Sequence, residues 1–110
     1  MSSFRDLLAQ TKGQIKEITP ELADAERDKA TFIDVREADE YEQGALPGAL
    51  HIPRGFLESQ VEGRVPDHQA PIVVYCAGGY RSSIAASLLR ASGFADVSDL
   101  IGGFQAWQAA

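Results

Sequence analysis

Short apolar or β-branched runs of four to seven residues alternate along this chain with stretches whose apolar positions recur at helical spacing. The runs predict five strands: QIKEI (14–18), TFIDV (31–35), ALHI (49–52), IVVY (72–75) and DVSDLIG (96–102). A helix is expected to open at Thr19-Pro20-Glu21, with Thr19 as N-cap and Pro20 at the first helical position, where the missing N–H costs nothing. Further helical patterns fall near 38–43, 55–62 and 82–92. In the last of these, Ile84, Ala85, Leu88 and Leu89 share one face, Ser83, Ser87 and Arg90 another, and Gly93 ends the pattern.

Strand and helix taking turns implies parallel strands joined by crossover helices, and IVVY is apolar throughout, as a strand covered on both faces requires. The expected fold is a single three-layer α/β domain with a central, mostly parallel five-stranded sheet and helices on both faces. A chain of 110 residues accommodates one such domain, spanning 1–110, with 1–13 as an N-terminal helical extension packing on it. No internal repeat, low-complexity segment or linker interrupts it.

Composition narrows the function classes. A net charge of -6 gives neither a phosphate-binding patch nor attraction to an anionic membrane, so nucleic acid and membrane are not expected partners. One cysteine and two histidines form no internal disulfide and fall short of a structural zinc set, so no metal or cofactor is expected. The opening MSSFRDLLAQTKG lacks the apolar stretch of a signal peptide, and no run reaches membrane-spanning length, which predicts a cytoplasmic protein.

That single cysteine, Cys76, stands where a buried strand ends and a helix is about to begin, the carboxyl edge at which open α/β sheets bind ligands. Ala77-Gly78-Gly79-Tyr80 can curl tightly there, turning successive backbone N–H groups inward as a nest for an anion, and the helix N-terminus adds its positive end. Asp34 and Arg36, at the end of the second strand, lie near the same crevice and read as an internal ion pair. Glu37, Asp39, Glu40 and Glu42 read as the solvated start of a helix, His51 as a capping or solvent-facing residue and His68 as loop. Ile101, Phe104 and Trp107, at helical spacing, read as core.

Three separated segments carry a resemblance. Cys76-Ala77-Gly78-Gly79-Tyr80-Arg81-Ser82 resembles the active-site loop of the rhodanese-like sulfurtransferases, IDVREADEYEQGALPGALHIP (33–53) their upstream signature, and LIGGFQAW (100–107) their closing segment. Ala45 departs from the pattern, where the family often has His. The resemblance implies that a Cys76 thiolate takes the outer sulfur of a donor such as thiosulfate, a persulfide or a polysulfide, and passes it to a thiol, cyanide or a protein acceptor, a sulfur-carrier protein among them. It further implies that the amides of Ala77, Gly78, Gly79, Tyr80, Arg81 and Ser82 hold the persulfide, that Arg81 binds the donor's anionic group, and that Asp34 and Arg36 brace the site; Tyr80, by its own place within the loop, is expected to gate the mouth. Two alternatives stand beside this reading. Cysteine phosphatases use a Cys-x5-Arg loop, whereas four residues separate Cys76 from Arg81, which also weakens an arsenate-reductase reading. A catalytically idle docking or sulfur-carrier module of the same fold is the other.

Overall fold

The computed structural model describes residues 15–78 and 80–110, and within them the five expected strands form one sheet. The elements run β1 (Lys16–Ile18), α1 (Pro20–Ala25), β2 (Thr31–Asp34), α2 (Ala38–Glu42), β3 (Leu50–His51), α3 (Leu57–Arg64), β4 (Ile72–Tyr75), α4 (Tyr80–Ala91), β5 (Val97–Leu100) and α5 (Gly103–Ala109). The 3-10 turn Arg54–Phe56 leads into α3. Gln14 and the expected 1–13 extension lie outside the described residues. Thr19 caps α1 as expected: its hydroxyl accepts the Leu22 N–H at 3.2 Å, and Pro20 stands in the first turn. No helix among the described residues is long and apolar enough to cross a membrane.

Strand order is β1-β5-β4-β2-β3, with every pairing parallel. β4 is central, and all four of its residues are buried. After β2 the chain steps outward to β3, and after β4 it steps the opposite way to β5. The order therefore reverses between β2 and β4, and a crevice opens at their carboxyl ends.

Period-2 alternation sorts the side chains into two cores. Ile33, Ile72, Val74, Cys76 and Val97 pack with Leu57 and Val61 of α3 and with Ala85, Ala86 and Leu89 of α4. Phe32, Val73, Tyr75 and Leu100 pack on the other face with Ala23 of α1, and Phe104 and Trp107 of α5 close over them. A three-layer α/β domain results.

Three sequence expectations need correcting. Ser83 of α4, placed with the polar face, is fully buried and donates to the Asp99 carboxylate at 2.9 Å, because Asp99 of β5 points from the sheet toward α4. Ile101 is not core but 44% exposed, since the strand stops at Leu100 and the left-handed glycines Gly102 (φ 74°) and Gly103 (φ 62°) turn the chain at once into α5, which begins only after Ile101. His68 is more than loop: its ring stacks on Phe94 at 4.1 Å and its Nε2 lies 2.7 Å from a Glu62 carboxylate oxygen.

α4 ends as its sequence predicts. The Gly93 N–H donates to the Arg90 carbonyl and the Phe94 N–H to the Leu89 carbonyl, both at 3.1 Å, a pattern that needs the left-handed φ of +100° at Gly93. A Cβ there would also lie 3.2 Å from His68 Nδ1. Gly93→Ala should therefore lower stability by about 1–2 kcal/mol, read as a reduced urea midpoint at unchanged slope. An unchanged midpoint would show that this terminus relaxes without strain.

Candidate active site

Cys76 is the first residue past β4 and is only 1% exposed. Alternation points its side chain to the α4 face, where Sγ lies 3.4 Å from the hydroxyl of the fully buried Ser82, in the first turn of that helix. The helix begins at Tyr80, two residues earlier than its apolar spacing suggested. Its opening N–H groups, which have no partners within the helix, thus start four residues after the cysteine, at the positive end of the dipole. Of the other predicted loop residues, Ala77 is half-buried and Gly78 exposed, while Gly79 lies outside the described residues.

The loop is tied from behind by α5. The Phe104 N–H donates to the Cys76 carbonyl at 2.8 Å and the Gln105 N–H to the Ala77 carbonyl at 3.2 Å. Each trans peptide sets its N–H opposite its carbonyl, so drawing these two carbonyls onto α5 turns the Ala77 and Gly78 N–H groups away from that helix. The approach requires Gly103, where a Cβ would lie 2.4 Å from the Cys76 carbonyl oxygen and 2.6 Å from that of Ala77. Sequence reasoning treated IGGFQAW as closing core and missed this contact. The Gly102-Gly103 pair before an apolar helical pattern was the available signal.

Asp34 and Arg36 form the buried ion pair expected of them. Arg36 Nη2 donates to Asp34 Oδ2 at 2.7 Å and Nε to both carboxylate oxygens at 3.1 Å. Nη2 also donates to the Gly44 carbonyl at 2.7 Å, and the guanidinium lies over the Phe104 ring, 4.5 Å from its centroid. The pair thus steadies the residue whose N–H holds the Cys76 carbonyl. Ala45 sits between two anchors, the Arg36 bond to Gly44 and the Leu46 N–H bond to the Tyr75 hydroxyl at 3.1 Å. His51 stacks on Tyr41 at 4.5 Å, with Nε2 2.8 Å from the Arg36 carbonyl oxygen.

Glu40 is not the solvated residue its acidic run suggested. Arg81 grips its carboxylate in bidentate fashion, Nη1 to Oε1 at 2.6 Å and Nη2 to Oε2 at 3.0 Å, and the Glu37 N–H adds a third bond at 3.1 Å. Those hydrogen bonds, led by the Arg81 pair, lower the Glu40 pKa from 4.5 to about 2. The two residues are 41 positions apart, so nothing local in the sequence announces the contact. Beside the loop, Arg36, Glu40, Gln43, Ala77, Gln105 and Gln108 line a cleft of about 290 Å³.

Comparison with known proteins agrees with this geometry. A family model for the rhodanese-like domain matches residues 19–110. The chain belongs to the rhodanese-like domain family. Thiosulfate sulfurtransferase GlpE of Pseudomonas fluorescens (strain SBW25) is 36% identical over 96 residues, covering 86% of each protein. Its namesake from Coxiella burnetii (strain RSA 331) is 40% identical over 76 residues, 69% of each. Among solved structures, the human single-domain sulfurtransferase TSTD1 superposes with a TM-score of 0.74 at 28% identity, over 84% of this chain and 95% of that one. A protein of unknown function, possible tyrosine phosphatase, from Rhodopseudomonas palustris reaches 0.86 at 28% identity, over 99% and 91%. The protein is thus a rhodanese-type sulfurtransferase, in which Cys76 occupies the loop that the sequence resemblance singled out.

Two outcomes test the site. Gly103→Ala should push the loop carbonyls off α5, lowering sulfurtransfer by an order of magnitude or more while far-UV circular dichroism stays close to wild type; full activity would show that the α5 contact is dispensable. Glu40→Gln should alter acid stability. A depressed carboxylate pKa stabilises the fold above the unfolded value of 4.5, and that stability is lost as pH falls toward about 2. Because both side chains are about one-third exposed, the contribution is discounted to about 1 kcal/mol at most. The wild-type advantage over Glu40→Gln in chemical denaturation should be largest above pH 4.5 and shrink toward pH 2, whereas a constant difference would contradict the pairing.

Proposed function

We propose that this protein is a cytoplasmic sulfurtransferase that carries sulfane sulfur on Cys76, with thiosulfate as the leading donor. The observation that bears most weight is the position of Sγ at the carboxyl end of β4, facing the first turn of α4, in a loop whose carbonyls are drawn back onto α5. Such a loop offers amides, not carbonyls, to an anion formed at the sulfur.

In the first half-reaction, the Cys76 thiolate attacks the outer sulfur of thiosulfate. The sulfur–sulfur bond of the donor breaks, sulfite leaves with the electron pair, and Cys76 becomes a persulfide anion. An acceptor thiolate or cyanide then attacks the outer sulfur, and the Cys76 thiolate is the leaving group. Both steps conserve charge and need no metal, cofactor or external oxidant. Sulfite is a good leaving group, so no histidine base is required beside the cysteine. The amides from Ala77 to Ser82 support the persulfide, the Ser82 hydroxyl stands next to Sγ, Arg81, held by Glu40, is the cation that the donor's anionic group meets, and Asp34 and Arg36 brace the loop through Phe104.

The names of the GlpE relatives favour thiosulfate, and persulfides and polysulfides offer the same sulfane sulfur. Thiols, cyanide and protein acceptors, including a sulfur-carrier protein, can each take it up. A lone cysteine suits a reducing compartment. Phosphoryl transfer is the weaker reading, despite the name of the Rhodopseudomonas palustris neighbour, because the loop spans four residues between Cys76 and Arg81 where cysteine phosphatases have five.

With a single cysteine the test is unambiguous. After incubation with thiosulfate, intact mass should show one added sulfur atom, removed by cyanide or excess thiol, and Cys76→Ser should show neither adduct nor turnover. If wild type takes up no sulfur from thiosulfate, polysulfide or glutathione persulfide, the docking-module reading replaces this one.

A further inference from the structure

Both arginines beside the cysteine loop have a carboxylate partner. Arg36 is spent inside the fold on Asp34 and the Gly44 carbonyl, with the pair almost wholly buried. Arg81 differs: it lies in the first turn of α4, within electrostatic reach of Cys76, and its side chain is 35% exposed, so an incoming donor can meet it. Its partner Glu40 is 31% exposed and forms part of the wall of the cleft that opens along Ala77 and Gln105.

A donor approaching the loop therefore meets a guanidinium and a carboxylate bound face to face, whose charges cancel. The rest of the chain, at net charge -6, repels anions. A dianion has either to separate the pair or to accept a neutral mouth, whereas a donor with less charge loses little. Helix α2 presents Glu40 in a fixed position: the Glu40 carboxylate also accepts the Glu37 N–H in a capping box at the start of that helix, so the side chain is restrained at both ends.

We infer that Glu40 is a specificity-determining residue, which neutralises Arg81 at the mouth of the loop and so biases the enzyme toward sulfane donors of lower charge. The inference rests on the proposed sulfurtransfer at Cys76 and adds to it the residue that sets the charge of the preferred donor. Glu40 does not touch the transferred sulfur. It acts through Arg81, so its removal should change donor capture and salt response and leave the transfer step alone.

The test compares thiosulfate with methanethiosulfonate, which offers the same sulfane sulfur on a monoanion. In Glu40→Gln, kcat/KM for thiosulfate should rise about two- to fivefold, the range an accessible ion pair supports. The gain should appear in KM, with kcat unchanged, and methanethiosulfonate should gain less. The thiosulfate reaction of the variant should also fall more steeply with added salt than that of wild type, because an uncompensated Arg81 is screened by ions and a compensated one is not. Glu42→Gln, which removes the same charge from the same helix at an exposed position outside the ion pair, should leave the donor ratio at the wild-type value. In Arg81→Ala, the added Glu40→Gln change should have no further effect on the ratio.

A lower thiosulfate kcat/KM in Glu40→Gln would overturn the inference and make Glu40 a residue that aims Arg81 at the donor. Equal gains in Glu40→Gln and Glu42→Gln would overturn it in favour of overall charge. Turnover with an unchanged donor ratio would refute the selectivity role alone, whereas failure of wild type to take sulfur from either donor would refute the sulfurtransfer reading beneath it.

Discussion

Two hydrogen bonds organise this molecule around its cysteine: the first amides of α5 hold the carbonyls of Cys76 and Ala77. Helix N-termini and tight loops each leave polar backbone groups without partners, and here the donors of one satisfy the acceptors of the other. The contact forms only because Gly103 has no side chain, and it is steadied from the other side by Arg36, which lies over the Phe104 ring and is fixed by Asp34. Sheet order sets up the encounter, since β4 and β2 meet where the order reverses and deliver Cys76 and Asp34 to one crevice on opposite faces.

Magnitudes indicate which part of this arrangement would support the anion proposed at Cys76. The dipole of α4 contributes about 0.3 to 1 kcal/mol, whereas each hydrogen bond from a loop amide to a charged group contributes about 1.5 to 3 kcal/mol. Arg81 adds less than its charge suggests, because Glu40 has already taken up its two terminal nitrogens. Backbone amides therefore dominate, and the geometry of the loop matters more than any side-chain cation near it. On the proposed mechanism, tying the carbonyls to α5 is therefore expected to set the reactivity of the loop.

Much of this was legible in the sequence because it depends on local pattern. IVVY read as a doubly covered strand and is one; Thr19-Pro20 read as a helix start, and Cys76 fell at the strand–helix junction that both patterns implied. What was not legible depends on contacts between distant residues. Glu40 looked solvated because its partner lies on another helix, and Ser83 looked exposed because the carboxylate it serves belongs to β5. The role of Gly103 was hidden for a related reason: a glycine pair marks a turn, but which backbone comes within 2.4 Å of the absent Cβ is decided only when β4 and α5 have packed.

The measurement that bears most directly on this account is the amide spectrum of the protein before and after sulfur loading. In 15N-labelled protein treated with thiosulfate, the amide protons of the loop from Ala77 to Ser82 should move downfield as they bond to the persulfide, while those of Phe104 and Gln105 keep their shifts and slow hydrogen exchange. Loop amides that do not respond to loading, or Phe104 and Gln105 amides that exchange as fast as exposed ones, would contradict it.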